Sequence, residues 1–291
     1  MVTERISNLD RRVIYLIVIV LASYIVLVPL GLPLPISTRT QNFYDIIEAL
    51  PDGSSAILQI ESGTAEIGVP EQLPILIAAV KHMTSKHFKL VFWSGMSIDD
   101  SNLLVDVLIA NGEFPLTAEG YVYGTDWCNI GWIGGSEPGL TQFAGDISGF
   151  KPQDAYNNLL ETMPIFNDLK TINDFDLWFV MCREADTPAA AMRAIQAPYN
   201  VQPMLVTSSS LAGQFQAYVT AGQGKEVVFG ARGAAEYEKL IGKPGLGLST
   251  VDALSTLAIL CMVFIVIGNL ADFAKKGGKI GRVAKQSKEE G

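Results

Sequence analysis

Serines, glycines and carboxylates recur at the ends of the expected strands, and their spacing limits the chemistry open to them. Ser136 stands in GGSEPG beside Gly134, Gly135 and Glu137; Ser208, Ser209 and Ser210 form a second cluster; Glu61 with Ser62, Ser94 with Gly95, and Arg183 complete the set. A serine nucleophile needs a base within hydrogen-bond reach. The only histidines, His82 and His87, end one expected helix and begin the next strand, with Lys81, Lys86 and Lys89 beside them. That is the opposite edge of the fold from the serines. GGSEPG also departs from G-x-S-x-G, so serine hydrolysis is not expected.

Metal and nucleotide chemistry find little more. His82 and His87 are five apart rather than four, and the cysteines lack C-x-x-C spacing. Glu61, Glu137 and Asp186 could hold a divalent cation, but loop and cap roles explain them more simply. Gly224-Lys225 lacks the first glycine and the following Ser or Thr of a phosphate loop, and no G-x-G-x-x-G follows the first strand. No cofactor, no metal and no catalytic residue is expected. What remains is Gly134-Gly135-Ser136 and Ser208-Ser209-Ser210, where free backbone N–H groups would favour a small anion or carboxylate. Turn chemistry alone is the plainer reading of both.

The elements that position these residues alternate. Strands are predicted over 54–61, 87–95, 127–135, 176–184 and 202–209. Helices are predicted over 42–50, from Pro70 (or later, because of Pro74) to about 86, over 96–112 with Ser97 and Asp100 as a capping box and Gly112 as a stop, and over 136–147. Two more follow over 189–197, opened by Thr187 and Pro188, and over 211–222. Residues 148–174 read as a helix plus an irregular excursion, and 225–242 as one helix. The alternation implies an α/β, Rossmann-like domain: a mostly parallel sheet of about five strands with helices on both faces, bracketed by two transmembrane helices. Ligands of such sheets bind outside the carboxyl ends of the strands. Glu61, Ser62, Ser94, Gly95, Gly134 to Glu137, Arg183, Ser208 and Ser209 all fall on that side.

The bracketing follows from two apolar runs. Residues 13–36 carry no charge, and residues 250–273 contain the uncharged stretch from Ala253 to Leu270. Each exceeds the roughly 20 residues that cross a bilayer core. The length of the first favours a retained anchor over a cleaved signal peptide. Arg5, Arg11 and Arg12 precede it, and Lys275, Lys276, Lys279, Arg282, Lys285 and Lys288 follow the second. The positive-inside rule then places 1–12 and the basic tail 274–291 in the cytoplasm, and 39–248 outside it, at a cell membrane. From Arg39 to Val251 there are 12 Lys and Arg against 24 Asp and Glu, a formal charge of −12. Nucleic acid is excluded as a partner by that surface. Cys128 and Cys182 fall in expected strands, and unpaired core thiols are favoured over a bridge. Gly230, Gly233, Ala234 and Asn269 offer small or polar faces for contact within the chain or with a partner helix.

Three segments, NFYDIIEALPDGS (42–54), YGTDWCNIGWIGGSE (123–137) and GARGAAEYEKLIGKPG (230–245), lead into a span carrying IGN (267–269). In this order the chain resembles a family of uncharacterised prokaryotic membrane proteins with one α/β domain between two spans. The resemblance covers nearly the whole chain and implies topology and fold, with no activity to carry over. The family's pattern has a basic residue and a proline where this chain has Ile133 and Gly134. The leading functional expectation is a non-enzymatic accessory, scaffold or self-assembling subunit of a membrane complex. The alternative is a small-ligand sensor using the carboxyl-end crevice, and an enzyme of unfamiliar type comes third.

Overall fold

Pro29, Gly31, Pro33 and Pro35 close the first apolar run. Proline lacks the amide a helix needs and pushes its predecessor towards extended backbone. The run is helical, as α1, over Arg11–Leu27. The computed structural model describes residues 11–28, 30–61, 71–95, 102, 105, 106, 109 and 120–289, and the chain divides into two compact units, 33–248 and 1–32 with 249–291.

In the unit of residues 33–248, α2 (Thr38–Glu48) precedes β1 (Ser55–Glu61), α3 (Leu73–Ser85), β2 (Lys89–Ser94) and β3 (Trp127–Trp132). Next come α4 (Ser136–Gly145), α5 (Ile147–Phe150), β4 (Leu177–Cys182) and α6 (Asp186–Ala191). A π-helical turn, Met192–Gln196, joins α6 to α7 (Ala197–Tyr199), and β5 (Pro203–Thr207), α8 (Ala212–Thr220), β6 (Glu226–Phe229) and α9 (Gly230–Leu240) complete the unit. The six strands lie in the order β3-β2-β1-β4-β5-β6, and every neighbouring pair is parallel. The winding therefore reverses between β1 and β4, where Glu61 stands opposite Cys182.

Alternating residues divide the core into two layers, as a period of two requires. Leu58 and Ile60 of β1 pack with Phe43 and Ile47 of α2, with α3, and with Tyr237 of α9. Ile57 packs on the other face with Trp93, Trp178, Phe143 of α4 and Phe215 of α8. Cys128 and Cys182 are both buried and free; β2 and β1 stand between their strands, too far for a bridge. The excursion after α5 covers the edge strand β3, with the Ala155 N–H donating to the Asn129 carbonyl at 3.0 Å. Such cover blunts an otherwise open row of backbone groups.

Several expectations are corrected. The sheet has six strands rather than five: 225–242 contains the short strand β6, and Gly230, at φ 69°, turns the chain from it into α9. Within 148–174 the α-helix is limited to α5, which ends at Phe150, and the excursion after it carries three 3-10 turns, Leu160–Thr162, Pro164–Phe166 and Ile172–Asp174. Helix α6 begins at Asp186, ahead of the expected Thr187-Pro188 start. Pro74 sits in the first turn of α3, so its delaying role is the one taken. Pro70, Ser97, Asp100 and Gly112 lie outside the described residues.

The last helix, α10, runs from Leu246 to Glu289 without a break, so helical backbone extends through most of 274–291. Ala, Lys, Arg and Gln propagate a helix well, and no proline interrupts them. Within α10, Leu246–Leu270 is long and apolar enough to cross a membrane, the one such helix among the described residues. The 17 residues of α1 give about 25 Å of helix, short of a roughly 30 Å hydrocarbon core. In this unit the buried Asp252 carboxylate accepts the Gly31 N–H at 2.8 Å and the Leu32 N–H at 3.2 Å. It thereby ties the end of the first apolar run to the start of the second.

Candidate functional site

Glu61 ends β1 with its carboxylate buried, at 3% exposure. Burying a carboxylate is costly unless donors saturate it. Here Gln59 donates through Nε2 at 2.9 Å, Gly95 through its N–H at 2.5 Å, and Ser94 through Oγ at 3.0 Å. One donor from β1 itself and two from the end of its parallel neighbour β2 thus converge on one side chain. Gly95 allows a close approach: a Cβ there would press to 3.1 Å from both Glu61 Oε1 and Leu140 Cδ2.

The opposite wall is the turn between β3 and α4. Gly135, at φ 96°, and Ser136, at φ 55°, both lie in the left-handed region. Gly139 sits so tightly on the Gly134 carbonyl that an added Cβ would collide with backbone. This brings Ser136, Glu137 and Leu140 over Gln59, Glu61 and Gly95, around a cleft of about 190 Å³. Ala190 closes one side, just before the π-helical turn, and Thr141 Oγ1 donates to the Ala194 carbonyl within that turn at 2.9 Å. Arg193 holds Glu137 through Nε at 3.1 Å and Nη2 at 2.6 Å, and that guanidinium keeps the Glu137 carboxyl below its usual range.

Four of the expected crevice residues, Glu61, Gly95, Ser136 and Glu137, therefore share one cleft, with Ser94 and Gly135 directly behind it. Gly134 packs under the Trp132 ring. Arg183 is exposed beyond β4, its N–H donating to the Glu61 carbonyl at 3.3 Å. Ser62 lies outside the described residues. Ser208 and Ser209 stand apart, at the end of β5. The Ser209 N–H already donates to Glu71 Oε2 at 2.9 Å, and Ser208 Oγ pairs with Ser210 Oγ at 2.8 Å. A carboxylate of the chain occupies the place read as open to an anion. Gly230 abuts Ser209, Gly233 rests on Val228, and Ala234 meets Gly247, so the small face of α9 is used within the unit. Asn269 is exposed on α10.

Three further polar atoms on this edge lack partners among the described residues: Gln59 Oε1, Gln72 Oε1 and Thr207 Oγ1, in residues 0–3% exposed. The Gln72 amide nitrogen donates to the Cys182 carbonyl at 3.0 Å, which places it beside the end of β4. Orphaned acceptors in a protein interior are rare and costly. Gln59 and Gln72 were missed as site residues, although a glutamine inside the apolar run AILQIE is itself a signal.

Among the described residues the cleft has acceptors but no free base for a nucleophile. Ser136 occupies a strained strand-to-helix turn of the kind hydrolase serines use. Yet Glu61 and Glu137, the titratable groups lining the cleft, are each engaged as above. Burial and the nearby Glu61 charge raise the Cys182 thiol well above its ordinary value, and burial pushes Cys128 up to about 12, so neither is a thiolate nucleophile. His82 lies at the far edge, as expected. Its Nδ1 meets the buried Tyr237 hydroxyl at 2.8 Å and its Nε2 meets Glu48 Oε2 at 2.9 Å, with Tyr44 stacked on the ring. Burial lowers the His82 pKa. No group of three or more His, Cys, Asp or Glu side chains able to hold a metal ion occurs among the described residues.

No protein-family model, curated protein or solved structure matches the chain.

Proposed function

We propose that the chain is a membrane-anchored, extracytoplasmic α/β module that recognises a small ligand rich in hydrogen-bond donors at the Gln59–Glu61 cleft. The observation that carries this reading is the unpaired Gln59 amide oxygen in a residue that lines the cleft beside Glu61. The Gln59 oxygen is itself buried, so a ligand N–H or O–H would satisfy it by displacing the side chains that cover it. The Glu61 and Glu137 carboxylates lining the cleft argue against an anion there. The volume, about 190 Å³, is below the roughly 300 Å³ of drug-sized sites, so the ligand class is a small amine or polyol. Anchoring by both apolar runs, with both termini cytoplasmic, rests on the basic flanks and on the apolar length of α10.

The test is a thermal-shift screen of the full chain in detergent against small amines, polyols, carboxylates and divalent ions. A stabilising amine or polyol is expected, and the shift should vanish in Gln59→Leu and in the cleft-filling Leu140→Trp. A blank screen, or a shift that survives both substitutions, would sink the reading.

Asn269 favours a second role, as a subunit of an assembly. An exposed amide in an apolar helix bonds well to a partner helix and poorly to lipid. Mass photometry in nanodiscs should then show oligomers for the wild type and monomers for Asn269→Leu. Monomers for both would remove it.

A further inference from the structure

We infer that a second cleft, between the first turns of α2 and α9, binds a phosphate group. Its volume is about 330 Å³, and Arg39, Arg232, Thr40, Phe229 and Glu236 line it. It lies at the end of β6, away from the Gln59–Glu61 cleft, and stands independently of the ligand proposed there. Two guanidiniums in one cleft are notable in a segment with a formal charge of −12 from Arg39 to Val251.

The carboxylate present does not cancel them. Glu236 is 1% exposed and saturated: Oε2 accepts the Ser37 N–H at 3.1 Å, Ser37 Oγ at 2.6 Å and Thr40 Oγ1 at 2.7 Å, while Oε1 accepts Arg232 Nε at 2.8 Å. One arginine is thus matched by Glu236 through its Nε alone, with its side chain 64% exposed. Arg39 has no carboxylate within ion-pair distance among the described residues; its guanidinium lies over the Phe229 ring, 4.7 Å from its centre, which keeps it at the cleft wall. The site carries a surplus positive charge and planar, multi-donor groups suited to phosphate oxygens. The uncapped start of α9 adds backbone donors of the same sign.

A phosphate could come from solution or from a lipid. Only two residues separate position 36, where the uncharged run ends, from Arg39, and the three steps span at most about 11 Å of chain. A bilayer's polar layer is roughly 5–7 Å deep on each side. If the run anchors the chain as proposed above, a lipid headgroup is within reach.

Two arms separate the sources. Inorganic phosphate and glycerol 3-phosphate are titrated calorimetrically into the full chain in an uncharged detergent. In parallel, the unfolding midpoint is compared in phosphatidylcholine nanodiscs with and without phosphatidylglycerol. Binding in the first arm identifies a soluble phosphate; a midpoint raised only by phosphatidylglycerol identifies the lipid. In either case Arg39→Gln should weaken the effect about tenfold or more, Arg39→Lys less, and Lys151→Gln not at all. Arg39→Gln leaves the Glu236 bonds intact, so loss of folding does not blur the result. No response in both arms, or a response unchanged in Arg39→Gln, overturns the inference.

Discussion

Two buried glutamates organise the two clefts, and they do so in opposite ways. Glu61 takes donors from β1 and from the end of β2, and its neighbour Gln59 keeps an acceptor unpaired. Glu236 is saturated by Ser37, Thr40 and Arg232 Nε, and Arg39 in the same cleft has no carboxylate within ion-pair distance among the described residues. The first cleft is short of donors and the second is short of negative charge. Similar side chains therefore set up recognition of opposite sign, and the difference lies in which partner group the surroundings leave over.

The sharpest way to break this comparison is at the wall of the first cleft. Gly139→Ala places a Cβ against the Gly134 carbonyl, and backbone cannot yield as a flexible side chain would. A loss of about 3 kcal/mol or more is expected in denaturant unfolding. Gly213→Ala, at a helical position with nothing within 4 Å of the added methyl, should instead stabilise by about 0.5–1 kcal/mol. Equal behaviour of the two would mean that the turn carrying Ser136 is not rigid.

The two glutamates themselves come next. Glu236→Gln must turn an NH₂ group towards either Arg232 Nε or the Ser37 and Thr40 donors, so about 2–3 kcal/mol is expected. Glu61→Gln can turn its NH₂ towards Ser94 Oγ, which accepts as readily as it donates, so less than about 1 kcal/mol is expected. Their pH dependence sharpens the contrast. Burial alone would raise the Glu236 pKa, but bonds from Ser37, Arg232 and Thr40 outweigh it and hold the carboxyl below its ordinary value. Its contribution is full above the unfolded pKa, about 4.3, and is lost as pH falls through the lower folded value. The stability gap between wild type and Glu236→Gln should close in that acid window. A gap that persists below it would show that the substitution acts through packing instead.

The parts of this arrangement that follow local rules were legible. The parallel strands β1 to β5, the edge on which ligands would bind, and the grouping of Glu61, Gly95, Ser136 and Glu137 follow from apolar runs ending in glycine and serine. Strand β6 was not legible, because four residues running straight into the helix-forming AAEYEKL carry too short a period to separate. The partners of Glu236 were hidden for a different reason: Ser37 and Thr40 lie almost 200 positions away, and no local pattern joins them. The expected span over 13–36 ignored the prolines at 29, 33 and 35, because apolar length alone does not register a break in backbone hydrogen bonding; the helix ends at Leu27.

The reversal between β1 and β4 sets a clock for the growing chain. Ala56 has Leu90 on one side and Leu177 on the other. β1 can therefore meet β2 early, but its second edge stays open until β4 has been made. At roughly 5–20 residues per second, that wait is on the order of ten seconds. Throughout it, the apolar centre of the future sheet is a bare edge. If residues 39–248 fold outside the cytoplasm, that edge is guarded during those seconds by whatever receives the chain as it crosses.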